Sequence, residues 1–298
     1  MAHEDYKGIY PALLTPMLED GSIDERSLQR HVERLLSQGV HGFYVGGSTG
    51  EAFMLDREER MRILETVIRA NDGKGKIIAH VGSIGTRETI KLARHAEEAG
   101  ADMLSAVVPF YYKAGMKEIR DHYLTIMTAT KLPMLIYHFP GATGVSLSMD
   151  FYEEMAKEEQ CIGVKFTSLN LFEMQQIRAR CGKDFLIFNG HDEVYAAGAL
   201  MGADGAIGST FNMMPGLFVE MFRCASSGQW EKLPKLQEQA NEIIADLVRY
   251  DVIAYEKYVA HLQGSLAHPT ARQPLPQLTA QQQEEIRRFF AGNSLLKL

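Results

Sequence analysis

The sequence predicts a (β/α)8 TIM barrel with a C-terminal helical extension, and three observations support this fold class. Eight short apolar segments recur along the chain, and segments with helical periodicity separate them. The apolar segments are nearly continuous, which is typical of parallel strands covered by helices. The alternation stops after Gly228, and eight strand–helix units are the number that closes such a barrel.

Each predicted strand is a short apolar run bounded by residues that are common in turns. In chain order the runs are GIYPALLTP from Gly8, GFYVGG from Gly42, KIIAHVG from Lys76, DMLSAVVP from Asp102, LPMLIYHFP from Leu132, IGVKF from Ile162, DFLIFNG from Asp184 and DGAIGST from Asp204. The runs share periodicity and not residue identity, so the eightfold pattern is not an internal sequence repeat.

The segments between the strands are amphipathic. In DERSLQRHVERLLSQG, Leu28 and Val32 fall on one helical face, and Gly39 is a helix-stop signal. The segment DREERMRILETVIRAN has Asp56 followed three residues later by Glu59, which is typical of a capping box. TRETIKLARHAEEAG and SMDFYEEMAKEE have the same helical character. We therefore expect a helix after most strands.

After Gly228 the pattern becomes purely helical. The segments QWEKLPKLQEQANEIIADLVRY, DVIAYEKYVAHLQG and TAQQQEEIRRFFAG read as helices, and a proline-rich link from His268 to Pro276 precedes the last of them. The sequence therefore predicts two domains, a barrel over residues 1–228 and a helical domain over residues 229–298.

The composition is that of a globular protein without a polyanionic partner. The chain has 298 residues, of which 46% are hydrophobic, and a net charge of −7 without a basic stripe, so we expect neither nucleic-acid nor membrane binding. The N-terminal segment has no signal-peptide pattern, and no apolar run approaches the roughly 20 residues of a membrane span. Three cysteines without CxxC spacing favour a reduced, cytoplasmic protein.

In such a barrel, functional residues gather at the carboxyl ends of the strands. The sixth run places Lys165 between Val164 and Phe166. Partial burial would lower the pKa of this amine from about 10.4 and leave a neutral fraction that can attack a carbonyl and form a Schiff base. A strand-end lysine whose ammonium reaches water is equally compatible with the sequence, so the lysine alone decides nothing.

Two other strand ends carry hydroxyl groups. The glycine-rich turn GGSTGE, with Ser48 and Thr49, offers backbone N–H groups and hydroxyls for a carboxylate or phosphate. The same composition is expected of a tight strand-to-helix turn, and neither a Walker loop nor a dinucleotide fingerprint matches. Tyr137 ends the fifth run and either relays a proton or is a core tyrosine whose hydroxyl needs a partner.

The remaining strand ends are polar but show no metal-binding pattern. NGHDE begins at the end of the seventh run, and its Asp192 is a candidate helix N-cap as well as a candidate substrate ligand. Ser209 lies at the end of the eighth run, and the segment PFYY exposes Tyr111 as a site wall or a subunit contact. The ten histidines include no HxH or HExxH spacing, so we expect no metal site.

Six segments together resemble the N-acetylneuraminate lyase branch of the pyruvate-dependent class I aldolases, a superfamily that also contains dihydrodipicolinate synthases. The segments are GGSTGE, PFYY, YHFPGATGV, GVKFT, NGHDE and GADGAIGSTFN, in that order. The likeness runs from about Gly8 to at least Gly228. It implies a (β/α)8 barrel with appended helices, a homotetramer, a small-molecule substrate (sialic acid and pyruvate) and no cofactor.

The resemblance also implies roles for individual residues. Lys165 corresponds to the Schiff-base lysine and Tyr137 to the proton-relay tyrosine. Ser48 and Thr49 are similar to residues that hold the pyruvate carboxylate, and Tyr111 matches a tyrosine near the site. The residues similar to those that hold the polyhydroxyl chain are Thr167, Gly190, Asp192, Glu193 and Ser209.

One position bears on the choice of branch. Dihydrodipicolinate synthases have an arginine where this chain has Ala142, and the loss of a bidentate carboxylate partner costs about 2–4 kcal/mol of recognition. The resemblance therefore favours N-acetylneuraminate cleavage. The alternatives are an aldolase for a 2-keto-3-deoxy sugar acid, a dihydrodipicolinate synthase, and a non-catalytic 2-oxoacid-binding member.

Overall fold

The eight apolar runs form eight parallel strands, as predicted, in a computed structural model that describes residues 3–297. The strands are β1 (Gly8–Pro11), β2 (Gly42–Val45), β3 (Lys76–His80), β4 (Met103–Val107), β5 (Met134–His138), β6 (Cys161–Phe166), β7 (Leu186–Asn189) and β8 (Gly205–Gly208). Each strand from β2 to β8 pairs with the next, and β8 pairs with β1. This order is that of a (β/α)8 barrel.

The barrel closes between its first two strands. The Leu13 N–H donates to the Tyr44 carbonyl over 2.9 Å, and Ala12 pairs with Tyr44 in a parallel bridge. At the other end, the His41 N–H donates to the Ile9 carbonyl over 3.0 Å. Closure leaves no long unpaired edge, which is the usual way a barrel avoids edge-to-edge association.

Helices cover the outside of the barrel. They are α1 (Glu25–Ser37), α2 (Arg57–Asn71), α3 (Thr86–Ala99), α4 (Met116–Met127), α5 (Pro140–Thr143), α6 (Met149–Met155), α7 (Leu171–Cys181), α8 (Tyr195–Leu200), α9 (Pro215–Ser226), α10 (Leu233–Leu247), α11 (Val252–Leu262) and α12 (Ala280–Gly292). The predicted capping box is present, since the Asp56 carboxylate accepts from the Glu59 N–H over 2.7 Å and Glu59 accepts from the Asp56 N–H over 3.0 Å.

Both faces of the strands are buried, which explains their continuous apolar sequences. The inward-facing side chains Tyr10, Tyr44, Ile78, Leu135 and Phe188 belong to a cluster that fills the barrel interior. The outward-facing side chains pack against the helices in a larger cluster. The inside of the barrel is therefore a packed core and not a pore. Open space remains at the carboxyl ends of the strands.

The C-terminal helices α10 to α12 pack against the barrel. Phe218 and Met221 of α9 share one hydrophobic cluster with Ile243 of α10, Tyr255 of α11 and Ile286 of α12. Helix α11 also contacts the 3-10 turn that follows β8. The predicted domain boundary after residue 228 stays a prediction. Within residues 3–297, no helix is both long and apolar enough to cross a membrane.

Candidate active site

A cavity of about 360 Å³ opens at the carboxyl ends of the strands. It brings together residues at the ends of β1, β2, β5, β6, β7 and β8, and α10 and α11 provide its remaining wall. Nine of the ten predicted site residues line it, namely Ser48, Thr49, Tyr137, Lys165, Thr167, Gly190, Asp192, Glu193 and Ser209. The convergence expected from the barrel fold is therefore present.

Lys165 lies at the end of β6 with only 4% of its surface exposed. Its Nζ lies 4.2 Å from the ring centroids of both Tyr44 and Tyr137. Burial lowers the pKa of the Lys165 amine to about 7, and the nearby Asp192 carboxylate opposes part of this change. About half of the amine is therefore neutral near pH 7, and a neutral amine is a nucleophile.

Tyr137 is the direct neighbour of Lys165 across the β5–β6 ladder. Its ring packs edge-on against Tyr44 with centroids 5.9 Å apart, and it stacks on Phe139 at 5.8 Å. Burial raises the pKa of the Tyr137 phenol to about 12, and the hydroxyls of Ser48 and Thr167 oppose part of that rise. The phenol is therefore protonated at neutral pH. Tyr137 can relay a proton, but it is not a deprotonated base before the reaction begins.

A buried histidine, His80, fixes the glycine-rich turn and was not among the predicted site residues. The Val107 N–H donates to His80 Nε2 over 3.3 Å, so His80 Nδ1 carries the proton and donates to the Gly46 carbonyl over 2.7 Å. Burial holds the pKa of His80 well below its usual value, and Arg60 adds to the effect. The neutral ring thus ties the turn to β3 and β4.

The turn is also held from the C-terminal extension. Glu51, the last residue of GGSTGE, has a left-handed backbone with φ of 60° and forms a fully buried ion pair with Lys257 of α11. The Arg272 N–H donates to Glu51 Oε2 over 2.6 Å, and Lys257 Nζ donates to the Thr270 carbonyl over 2.7 Å. These contacts leave Ser48 and Thr49 free to line the cavity.

Asp192 is a buried carboxylate on the opposite side of the cavity. One oxygen, Oδ2, accepts from the Thr210 N–H over 2.9 Å and from the Thr210 hydroxyl over 2.7 Å, while Oδ1 has no hydrogen-bond partner within the described chain. Burial raises the pKa of Asp192 to about 6. A Cβ at Gly208 would lie 1.9 Å from Oδ1, so only glycine fits beside this carboxylate. The free Oδ1 can accept a hydrogen bond from a hydroxyl group.

The neighbouring polar groups complete this wall. A Cβ at Gly190 would lie 2.0 Å from the Thr167 hydroxyl oxygen, so the glycine allows that hydroxyl to occupy its place in the cavity. Glu193 accepts from His191 Nδ1 at 3.0 Å, and this contact lowers the pKa of Glu193. The result is a rim of carboxylates and hydroxyls, which suits a ligand with several hydroxyl groups.

Tyr111 is the predicted site residue that the structure places elsewhere. It is 71% exposed and packs edge-on against Tyr112 with centroids 5.0 Å apart, outside the cavity. Its role near the site stays a prediction. Among residues 3–297, no group of three or more His, Cys, Asp or Glu side chains is arranged to hold a metal ion.

A larger open groove of about 1,300 Å³ lies beside the cavity and shares Glu193 with it. Its walls come mainly from α8 and α10 and from the 3-10 turn that contains Trp230. Neither Lys165 nor Tyr137 lines it. Because the smaller cavity holds both Lys165 and Tyr137, we take it and not the larger groove as the candidate active site.

Comparison with known proteins identifies the family. The model of the dihydrodipicolinate synthetase family matches residues 5–291. The chain belongs to this family. Among curated relatives, the N-acetylneuraminate lyases of Citrobacter koseri and of Escherichia coli strain SMS-3-5 are each 39% identical to it. The alignments cover 94% and 93% of this chain and 97% and 96% of the relatives.

Solved structures of the family agree closely with this fold. A Clostridium difficile protein solved in complex with mannosamine aligns with a TM-score of 0.93 and 34% identity, over 96% of this chain and 98% of that one. The N-acetylneuraminate lyase of Fusobacterium nucleatum aligns with a TM-score of 0.91 and 35% identity, over 97% of this chain and 99% of that one. The dihydrodipicolinate synthase of Aquifex aeolicus aligns with a TM-score of 0.93 and 27% identity, also over 97% of this chain and 99% of that one. The fold is therefore shared across the family, while the identity is higher to the lyases.

Proposed function

We propose that this chain is a class I aldolase that cleaves N-acetylneuraminate to N-acetylmannosamine and pyruvate through a Schiff base on Lys165. The observation that carries the proposal is the position of Lys165, a buried amine with a pKa of about 7 in a cavity that hydroxyl and carboxyl side chains also line. The 39% identity to N-acetylneuraminate lyases over most of the chain supports the choice of substrate.

In the first step, the neutral Lys165 amine attacks the C2 ketone of the open-chain sugar acid, and loss of water gives a protonated imine. Ser48 and Thr49 face the same cavity and would hold the substrate carboxylate. The buried Glu51–Lys257 pair keeps their turn in place, so the ketone would meet the amine in a reactive geometry.

In the second step, the C3–C4 bond breaks and its electron pair flows into the imine to give an enamine. Tyr137 accepts the proton that leaves the C4 hydroxyl while passing its own proton to the substrate carboxylate, since its phenol is protonated at rest. The sugar aldehyde departs. The enamine takes a proton at C3, and water then hydrolyses the resulting imine to pyruvate and regenerates the Lys165 amine.

The sugar part of the substrate would lie against the polar wall. Asp192 Oδ1 is buried and lacks a hydrogen-bond partner in the described chain, so it would accept from a substrate hydroxyl. Thr167, Glu193 and Ser209 line the same wall. In contrast, Ala142 is an exposed residue without a charge for a second carboxylate, which argues against a dihydrodipicolinate synthase.

The covalent step is tested by reduction with borohydride in the presence of pyruvate. We expect a stable mass increase on Lys165 and none in Lys165→Ala. Because Lys183 is exposed at the surface, Lys183→Ala is the matched control and should be labelled like the wild type. The absence of an adduct at saturating pyruvate would refute the Schiff-base mechanism and favour a non-catalytic 2-oxoacid-binding protein.

The substrate is tested by pyruvate release from N-acetylneuraminate and from 2-keto-3-deoxygluconate. We expect a higher kcat/KM for N-acetylneuraminate, because the carboxylate and hydroxyl rim matches its longer polyhydroxyl chain. A preference for the smaller sugar acid would assign the chain to the 2-keto-3-deoxy sugar acid aldolases while leaving the covalent mechanism intact.

We further propose that the protein is a cytoplasmic homotetramer. The exposed aromatic side chains of Tyr111, Tyr112 and Phe172, which are 71–74% exposed in the single chain, support burial between subunits. Light scattering coupled to size-exclusion chromatography should give four times the chain mass. The three cysteines are free, and two of them are buried, which is compatible with a reducing compartment.

A further inference from the structure

Helix α11 (Val252–Leu262) carries a carboxyl group beneath the cavity that the proposed mechanism does not use. Val252 and Ile253 of this helix line the cavity, and Glu256 follows one turn later on the same face. Glu256 is fully buried, although glutamate is among the residue types that proteins rarely bury. Its position at the site therefore needs a physical explanation.

Within residues 3–297, the groups that act on Glu256 include no compensating cation. The hydroxyl of Ser209 faces its carboxyl from the cavity side, and the carboxylates of Asp192 and Asp251 are the charged groups that act on it. Neither Glu256 oxygen makes a hydrogen bond of standard geometry within the described residues. The adjacent Lys257 is directed away, to its ion pair with Glu51.

These surroundings favour the uncharged form of Glu256. Burial and the two neighbouring carboxylates raise its pKa to about 8, while the Ser209 hydroxyl opposes part of that rise. A protonated carboxyl group has one O–H donor, whereas a carboxylate only accepts. At pH 7, Glu256 is thus a hydrogen-bond donor placed behind a residue that lines the cavity.

We propose that Glu256 is a positioning residue that, as a neutral carboxylic acid, donates a hydrogen bond to Ser209 and so turns the Ser209 hydroxyl hydrogen toward the sugar part of the substrate. A serine hydroxyl has one hydrogen and two acceptor sites, so occupation of its oxygen by the Glu256 donor leaves its own hydrogen for an acceptor in the cavity. Ionised Glu256 would instead draw that hydrogen to itself. This inference rests on the proposed sugar-acid substrate.

The first test is the pH dependence of KM and kcat for N-acetylneuraminate in the wild type, Glu256→Gln and Glu256→Leu. Wild-type KM should rise about fivefold as the pH passes through about 8, since one hydrogen bond to the substrate is lost. Glu256→Gln keeps an N–H donor at every pH, so its KM should stay near the neutral wild-type value without the rise. Glu256→Leu should have a raised KM at every pH, and at each pH the kcat values of the three proteins should agree within about twofold.

Two kinetic results would overturn the inference. One is a Glu256→Gln variant whose KM rises through pH 8 as the wild-type KM does. The other is a folded Glu256→Leu variant with wild-type KM at pH 7. The exposed α10 residue Glu238 gives the control Glu238→Gln, which should be indistinguishable from the wild type.

A second measurement separates this inference from the proposed function. An infrared difference spectrum between the wild type and Glu256→Gln at pH 7 should contain the C=O band of a protonated carboxyl group. The band should disappear with a midpoint near pH 8 and shift in Ser209→Ala. A missing band, or one that is insensitive to Ser209→Ala, overturns the inference even if the enzyme cleaves N-acetylneuraminate. If the wild type does not cleave that substrate, the proposed function fails and the infrared result alone decides the state of Glu256.

Discussion

Raising the pH from 6 to 8 should accelerate imine formation on Lys165 about tenfold. The pKa of this amine is about 7, so the neutral fraction is about one tenth at pH 6, one half at pH 7 and nine tenths at pH 8. A lysine with the ordinary pKa of 10.5 would be neutral in only about one molecule in 3,000 at pH 7. Burial at the end of β6 therefore increases the reactive fraction roughly a thousandfold.

The rate is measured by mixing enzyme with saturating pyruvate and trapping the imine with cyanoborohydride at defined times. The trapped fraction is then determined by mass spectrometry of the intact protein. The apparent pKa of the rate should be about 7. Since the Asp192 carboxylate stabilises the Lys165 ammonium, Asp192→Asn should move the midpoint to lower pH. A midpoint near 10, or a shift to higher pH in Asp192→Asn, would refute desolvation as the cause of the reactivity.

Three further substitutions test other parts of the site. Tyr137→Phe keeps the ring packing but removes the hydroxyl of the proposed proton relay, so kcat should fall about 10²–10⁴-fold while pyruvate still forms the imine. Gly190→Ala forces a Cβ against the Thr167 hydroxyl, so the free energy of unfolding in urea should fall by about 1–3 kcal/mol. Lys257→Met leaves the buried Glu51 carboxylate without its partner and should cost about 3–5 kcal/mol in the same assay.

Each of these three substitutions has a matched control variant. Tyr6→Phe alters a half-buried tyrosine that precedes β1 and lies outside the cavity, and it should leave kcat unchanged. Gly141→Ala places its Cβ 3.7 Å from the Phe139 ring, an ordinary contact, and should be tolerated. Lys117→Met removes an exposed ion pair with Asp121 and should cost about 1 kcal/mol or less. Variants that match their controls would contradict the assigned roles.

The sequence predicted the barrel well because the relevant signals are local. Each strand is a short continuous apolar run, and each outer helix has an amphipathic period, so their order alone specifies a closed parallel sheet. The rule that polar residues at strand ends converge then placed Lys165 and Tyr137 in one cavity. The same rule also applies to His80, which ends β3 and was overlooked because it lies inside an apolar run.

The contribution of the C-terminal extension was not predictable from local patterns. Glu256 and Lys257 are adjacent charges in a helix that is otherwise apolar, and this contrast was the available signal of burial. Glu51, the ion-pair partner of Lys257, follows β2, and Ser209, the proposed partner of Glu256, follows β8, so only the tertiary packing of α11 brings these residues together. Long-range pairing of this kind has no local sequence pattern.

The hydrogen bond from the Arg272 N–H to Glu51 joins residues that are 221 positions apart. A ribosome adds about 5–20 residues per second, so the glycine-rich turn waits many seconds in a growing polypeptide before the Arg272 N–H is synthesised. Translation that stops before Arg272 would release a chain with eight strands but without that anchor. We therefore expect products that end before Arg272 to be inactive.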